Sequence, residues 1–394
     1  MDTRQWLKQL IGFNTISSHS NMQLIAAIDD WFKLHGIQTH IIHGGCDEKA
    51  NLLATIPAKD GGMTGGLLLS GHTDVVPVVG QLWNTDPFVA TEDNGKIYGR
   101  GACEMKAFIA VMLALVPEFK TLNLLKPIHF AFTYDEEVGC IGAEFLVEHM
   151  QTLGIHPEGC IVGEPTSMRP IIGEKSRQLY HCQIQGKAAH SSLANEGCNA
   201  IEYASDLIAY IRTLARHMQE NGPFDHDFDY PSPTMTTNIV SGGIATNIIP
   251  GICEFIFEIR YPPQFPLENL RSQIQNHIDE QLLPDMQAKH PEAAIYLQCT
   301  SDAQGFTAME NSLITRIVRM VTGIQDRLKV SYSTEAGLFQ DAHIPTIICG
   351  PGDIAQAHRP NEFVSIAQLA LCENVLRNVV TLFCVQLNNH PVLI

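Results

Sequence analysis

The sequence predicts an α/β protein of two domains, in which a helix–sheet–helix lobe is interrupted by a compact β-α-β-β-α-β unit. Three observations carry that prediction. The chain has 394 residues, more than one hydrophobic core ordinarily organises. Residues 1–170 alternate between helix-period and strand-like segments, as expected of a sheet covered by helices. From about Gln178 the order of elements changes to that of a ferredoxin-like unit.

Taken in order, Leu24, Ile25, Ile28, Trp31 and Phe32 share one helical face that ends at Gly36. Strands are expected at Ile37–Ile42, Asn51–Ile56, Gly66–Ser70, Ile128–Thr133 and Cys160–Val162, with helices near Ala107–Phe119 and Gly142–Gln151. The second unit is read as strand Leu179–Gln185, helix Asn199–Met218, strands Thr234–Ser241 and Ile252–Tyr261, helix Leu267–Leu283 and strand Ala294–Cys299. The tail, with a helix over Ser312–Val321, a buried strand over Ile344–Cys349 and a long helix over Val364–Leu387, returns to the first lobe. The domains are therefore expected at 1–176 with 301–394, and at 177–300.

Composition narrows the function. A formal charge of -17 without a Lys/Arg stripe excludes a nucleic-acid surface. Met1–Leu10 carries Asp2, Arg4 and Lys8, unlike a signal peptide, and no apolar run reaches the roughly 18 residues of a membrane span. Eleven cysteines fall singly, which disfavours both a disulfide framework and a zinc knuckle and fits a reducing cytoplasm.

Chemistry concentrates just past strand ends, where open α/β sheets hold ligands. His72 and Asp74 follow one buried strand, and in such a pair the carboxylate can fix the tautomer that frees the other ring nitrogen for a metal. Glu104 lies in the glycine-hinged loop Tyr98–Lys106 that opens into a helix. Asp135, Glu136 and Glu137 are three consecutive acids at a strand end, which repel one another unless cations hold them; adjacent glutamates can divide into one ligand and one base. Glu164 follows another strand, and His358 follows the Gly350-Pro351-Gly352 turn. This His/carboxylate set suits zinc, cobalt or manganese. A G-x-S-x-G elbow and a phosphate-binding G-x-x-x-x-G-K-[ST] loop are both missing from the sequence.

The motifs Ser70-Gly-His-Thr-Asp74, Trp83–Phe88, Tyr98-Gly-Arg-Gly101 with Met105-Lys106, Asp135-Glu-Glu137, Gly163-Glu-Pro-Thr166, His190-Ser-Ser192 and Gly350-Pro-Gly352 with His358 run in order along nearly the whole chain. Together they resemble the M20 metallopeptidase family, and within it the acetylornithine deacetylases, with the succinyl-diaminopimelate desuccinylases as close relatives. The resemblance implies a zinc-peptidase-like α/β/α catalytic domain and an inserted ferredoxin-like lid and dimerisation domain. It implies one or two zinc ions, replaceable by cobalt or manganese, with His72, Glu137, Glu164 and His358 as terminal ligands. Asp74 would orient His72, and Glu136 would be the general base. The family usually has Asp as the bridging ligand before Met-Lys; here the position is Glu104, a methylene longer.

Also by resemblance, His190 would stabilise an oxyanion, and Asn247 and Arg260 would hold the substrate carboxylate. Glu335, in Ser333-Thr-Glu-Ala-Gly337, is a candidate reader of the substrate's side-chain ammonium. The expected activity is hydrolysis of N-acetyl-L-ornithine by a cytoplasmic homodimer. The alternative is a succinyl-diaminopimelate desuccinylase, with Lys175 and Arg177 as its candidate extra cations, or another aminoacylase or peptidase of the M20 family. A metal-binding but catalytically silent dimer is the non-enzyme alternative.

Overall fold

The computed structural model describes residues 1–45 and 48–386, which form two compact units. The first comprises Met1–Gly173, Phe306–Leu328 and the chain from Thr334 onward; the second comprises Glu174–Gly305 and Lys329–Ser333. The short return of Lys329–Ser333 is not anticipated by the sequence reading. Lys329 is held there both by its ammonium, 2.6 Å from Asp225 and 3.7 Å from Asp227, and by its backbone N–H, which donates to the Asp227 carbonyl at 2.9 Å.

In the first unit, helices α1 (Thr3–Ile11) and α2 (Met22–Leu34) precede strands β1 (Thr39–His43), β2 (Ala50–Ile56) and β3 (Leu67–His72). Two short strands, β4 (Thr91–Asp93) and β5 (Lys96–Tyr98), lead to α3 (Lys106–Lys120), β6 (Ile128–Thr133), α4 (Ile141–Thr152), β7 (Gly159–Pro165) and β8 (Ile171–Glu174). The second unit contains β9 (Ser176–Gln185), β10 (Ala189–His190), α5 (Ala200–Asn221), β11 (Thr234–Gly242), β12 (Ile248–Ile249), β13 (Ile252–Tyr261), α6 (Leu267–His277), α7 (Leu283–Lys289) and β14 (Ala294–Ala303). The tail adds α8 (Leu313–Thr322), β15 (Leu328–Val330), α9 (Ala336–Asp341), β16 (Thr346–Gly350), β17 (Phe363–Ser365) and α10 (Ile366–Val380).

The central sheet of the first unit runs β1-β2-β6-β3-β7-β16-β8. Strands β6, β3, β7 and β16 are mutually parallel, so their carboxyl ends open on one side. Every residue of β3, β6 and β7 is buried, which explains their continuous apolar runs. Helix α3 is buried on nearly every side and packs on β3 and β7 and against α1 and α10. Close approach between layers is set by Gly163, where a Cβ would stand 1.9 Å from the Phe108 ring. That glycine lets β7 lie against α3 directly before Glu164.

The second unit has the β-α-β-β-α-β order, with its sheet ordered β11-β13-β9-β14. Alternating burial in β9 and β13 turns Tyr180, Cys182, Ile184, Phe255, Phe257 and Ile259 onto Leu207, Ile211, Leu270 and Ile274 of the helices.

Two helix boundaries differ from the sequence expectation. The stretch expected as one helix over Leu267–Leu283 is α6, a wide turn at Ile278–Leu282, and α7. Pro284 has no N–H to donate and is tolerated in the first turn of a restarted helix. The helix expected from Val364 begins at Ile366, because Phe363–Ser365 pair with β5 and the Ser365 hydroxyl caps α10. Leu387, its expected end, lies outside the described residues. The span Ile366–Val385 is long and apolar enough to cross a membrane. Its Cys372, Leu376, Val379 and Val380 are nonetheless packed inside the unit. Among the described residues, Cys103, Cys160, Cys182, Cys198, Cys253, Cys299, Cys349, Cys372 and Cys384 are free thiols.

Candidate metal centre

The carboxyl ends of β3, β6 and β7 and the loops before α3 and after β16 bring seven of the predicted residues together. His72 is the last residue of β3 and is wholly buried. Its Nδ1 is 2.9 Å from the Asp74 backbone carbonyl. A carbonyl only accepts, so Nδ1 carries the proton and the Nε2 lone pair points outward. The Asp74 carboxylate is farther from that nitrogen, at 3.5 Å. The Asp74 backbone carbonyl thus holds the tautomer, with the side-chain carboxylate at the edge of reach of the same nitrogen.

The Asp74 carboxylate has other partners. It accepts from the Ser17 hydroxyl at 2.7 Å and from the backbone N–H groups of Glu136 and Glu137 at 3.1 and 3.3 Å. One side chain thus ties β3 to the turn that presents both glutamates. The third acid of that run, Asp135, faces away and is neutralised by Lys49 Nζ at 2.7 Å.

Two ligand-competent groups emerge, each with its donor atoms within 4.8 Å of one another: His72, Glu104 and Glu164, and Glu104, Glu137 and His358. Glu104 belongs to both. His72 Nε2 lies 3.7 Å from Glu164 Oε1, and His358 Nε2 lies 3.0 Å from Glu104 Oε2 and 3.1 Å from Glu137 Oε1. Glu136 Oε2 is 4.0 Å from His72 Nε2. His72 Nε2 and both Glu164 oxygens are buried without a hydrogen-bond partner. Burying three such atoms side by side is costly unless a cation is shared among them, and imidazole plus carboxylate is a donor set that divalent zinc, cobalt or manganese accepts. The residues fit two cations with Glu104 between them, the longer side chain notwithstanding.

The loop carrying Glu104 is held by Glu362, a residue the sequence reading does not single out. Glu362 accepts from the N–H groups of Gly101, Cys103 and Glu104 at 3.0, 2.7 and 3.0 Å, and from Arg100 at 2.7 Å. Arg100 in turn donates to Gln81, whose amide donates to the His358 carbonyl at 2.8 Å. The signal in sequence is an acid between Asn361 and the apolar Phe363-Val364, four residues past His358. Cys103 donates to the Asp353 carbonyl, and burial pushes its thiol pKa up.

Glu335 is 1 % exposed and sits under this cluster, with the Ser70 hydroxyl 3.4 Å from Oε2. The other predicted residues belong to the second unit. His190 and Asn247 are adjacent there, through pairing of β10 with β12 and a 3.0 Å bond from Ser191 N–H to the Asn247 carbonyl. His190 Nδ1 accepts from the Ser192 N–H at 3.2 Å, which leaves Nε2–H as a donor. Arg260 is engaged with Glu258 and donates to the Ser331 carbonyl; Arg177 shares Glu258, and the buried Lys175 donates to the Ser232 carbonyl.

Burial and crowding make this cluster hold protons when it has no cations. Burial pushes Glu164 up to about 8. Burial alone would lower His358, but the Glu104 and Glu137 carboxylates outweigh it and raise it to about 10. Both groups are thus protonated at neutral pH and must lose those protons to act as ligands. Cation uptake is expected to release protons near pH 7, with affinity weakening as pH falls from about 10 towards 7. Calorimetry of Zn2+ uptake in two buffers of different ionisation enthalpy checks this; zero net release would contradict it.

Comparison with known proteins agrees with the geometry. Residues 68–382 match the sequence profile of peptidase family M20/M25/M40. The chain is 36% identical to an acetylornithine deacetylase of Pasteurella multocida, covering 96% of this chain and 97% of that one. It is 33% identical to an acetylornithine deacetylase of Shigella sonnei, covering 93% and 92%. Its fold is similar to that of a Staphylococcus aureus tripeptidase, with TM-score 0.73, 20% identity and coverage of 96% and 97%. A Bacillus subtilis dinuclear metal-binding peptidase of the M20 family aligns with TM-score 0.66, 14% identity and coverage of 96% and 97%. Profile, full-length relatives and fold agree, and the chain belongs to the M20/M25/M40 peptidase family, as a metal-dependent amidohydrolase.

Proposed function

We propose that this hydrolase cleaves N-acetyl-L-ornithine to L-ornithine and acetate, a step of arginine biosynthesis. The observation that carries the reaction class is Glu136, a buried carboxylate beside the two cation-competent groups that belongs to neither. A silent binding protein has no use for it. The substrate rests on the two full-length relatives that bear the acetylornithine deacetylase name. A desuccinylase needs additional cations for the succinyl carboxylate, for which Lys175 and Arg177 are the candidates.

His72 and Glu164 would hold one cation, Glu137 and His358 the other, with Glu104 shared; zinc is the ion we assign, two per chain. Cations bound there supply Lewis acidity for the acyl carbonyl and lower the pKa of attacking water. The chain's own residues do the rest. Burial first, and then the neighbouring carboxylates Glu164, Glu137 and Glu335, raise Glu136 well above the ordinary range, although His72 opposes them. That shift belongs to the cluster without cations; cations beside Glu136 would lower it again, leaving a carboxylate that can take the proton of the water and return it to the departing amine nitrogen, without which the amine leaves poorly. His190 Nε2–H would donate to the developing oxyanion. Arg260 and Asn247 would fix the substrate carboxylate, Arg260 by exchanging Glu258 for it.

The unpaired thiols support a cytoplasmic protein. For a homodimer, the support is β11, an edge strand with Ile239 and Val240 each 57% exposed and Ile244 just beyond it 87% exposed. Light scattering is expected to give a dimer for the native chain and a monomer for Val240→Lys; a native monomer at micromolar concentration would remove this assignment.

Amine release from N-acetyl-L-ornithine, beside N-succinyl-diaminopimelate, tests the substrate. Zinc-loaded protein should cleave the acetyl compound, and Glu136→Gln should lose roughly 10²–10⁴-fold in turnover while retaining zinc stoichiometry and melting temperature. Cleavage of the succinyl compound alone, or full activity in Glu136→Gln, would overturn the reading.

A further inference from the structure

Glu335 is a buried carboxylate that the reaction above does not use. It begins α9, is 1 % exposed, and its Oε1 has no hydrogen-bond partner. Its other oxygen receives only the long Ser70 bond of 3.4 Å, with the Thr133 hydroxyl also beside the carboxylate. Among the described residues it forms no ion pair, unlike the buried Glu362, which has Arg100. A charge buried in this way is destabilising unless some cation lies close by.

The position of its neighbours shows where that cation would be. Ser70 is two residues before His72 on β3 and therefore on the same face of the strand. Thr133 is paired in register with His72 on β6. Glu335 thus lies one layer beneath the His72–Glu164 side of the centre, behind the residues that carry His72. Its charge acts on His72, Glu136 and Glu164.

We infer that Glu335 is a positioning residue for a divalent cation at the His72–Glu104–Glu164 subsite, an outer carboxylate that strengthens cation binding without touching the ion. It differs from the contact with a substrate ammonium that the sequence suggests, and the titration below separates the two. The assignment rests on the metal-centre reading above. In the low-dielectric interior an added negative charge beneath a cation is weakly screened, and outer carboxylates of this kind ordinarily tune affinity through their position.

The test is Zn2+ titration of metal-stripped protein by competition with a chromophoric chelator, for the native chain, Glu335→Gln and Glu335→Asp. One of two binding steps should weaken by about 10–100-fold in Glu335→Gln, the other should stay unchanged, and Glu335→Asp should recover part of the loss. The metal-stripped melting temperature of Glu335→Gln should equal or exceed the native value, because an uncompensated buried charge has been removed. Two unchanged binding steps would overturn the inference, and a raised KM alongside them would return Glu335 to substrate contact. Equal weakening of both steps, or a lowered metal-stripped melting temperature in Glu335→Gln and Glu335→Asp alike, would mark a general structural role and overturn it too. A native chain that takes up no zinc would instead overturn the metal centre itself, and this assignment with it.

Discussion

Carboxylates that cannot all remain charged in one place without cations govern this protein. Glu104, Glu136, Glu137 and Glu164 crowd around two imidazoles, with Glu335 beneath them. Where the chain supplies its own cation, the conflict ends locally: Lys49 meets Asp135 and Arg100 meets Glu362. At the strand ends the described residues offer only the imidazoles of His72 and His358, and burial together with the neighbouring carboxylates pushes Glu136 and Glu164 up. Such a cluster persists in a folded protein as a binding site for ions, since burial of unpaired charge is otherwise among the more costly things a chain can do.

The parallel sheet makes the crowding possible. Because β3, β6 and β7 run the same way, their carboxyl ends deliver His72, the Asp135–Glu137 turn and Glu164 to one place. Two carboxylates that bind no ion hold the rest in position. Asp74 joins the His72 strand to the backbone of Glu136 and Glu137, and Glu362 gathers the N–H groups around Glu104 while Arg100 and Gln81 extend that hold to His358. Shared anchors of this kind fix ligand geometry before any ion arrives.

Much of this was legible in the sequence because the signals were local. Strand-end acids and histidines stand out against apolar runs, and Ile128–Thr133 and Ile252–Tyr261 have the bounds their patterns predict. What stayed hidden depends on distant partners. Glu362 reads as an ordinary loop acid until the Gly99–Glu104 backbone is placed against it. Lys329–Ser333 reads as part of the tail until Asp225 and Asp227 are placed beside it. At Asp74, an H-x-D spacing does not tell that the backbone carbonyl approaches the ring more closely than the carboxylate does. Pro284, by contrast, was a readable break inside the Leu267–Leu283 stretch, outweighed there by the apolar periodicity around it.

Everything turns on whether Glu104 serves both cation subsites despite being a methylene longer than the family's usual aspartate. Anomalous diffraction at the zinc absorption edge, from crystals of the zinc-loaded protein, measures this directly. The account predicts two peaks about 3.5–4 Å apart with the Glu104 carboxylate between them. A single peak on His72 and Glu164, with Glu104 turned away, would contradict it.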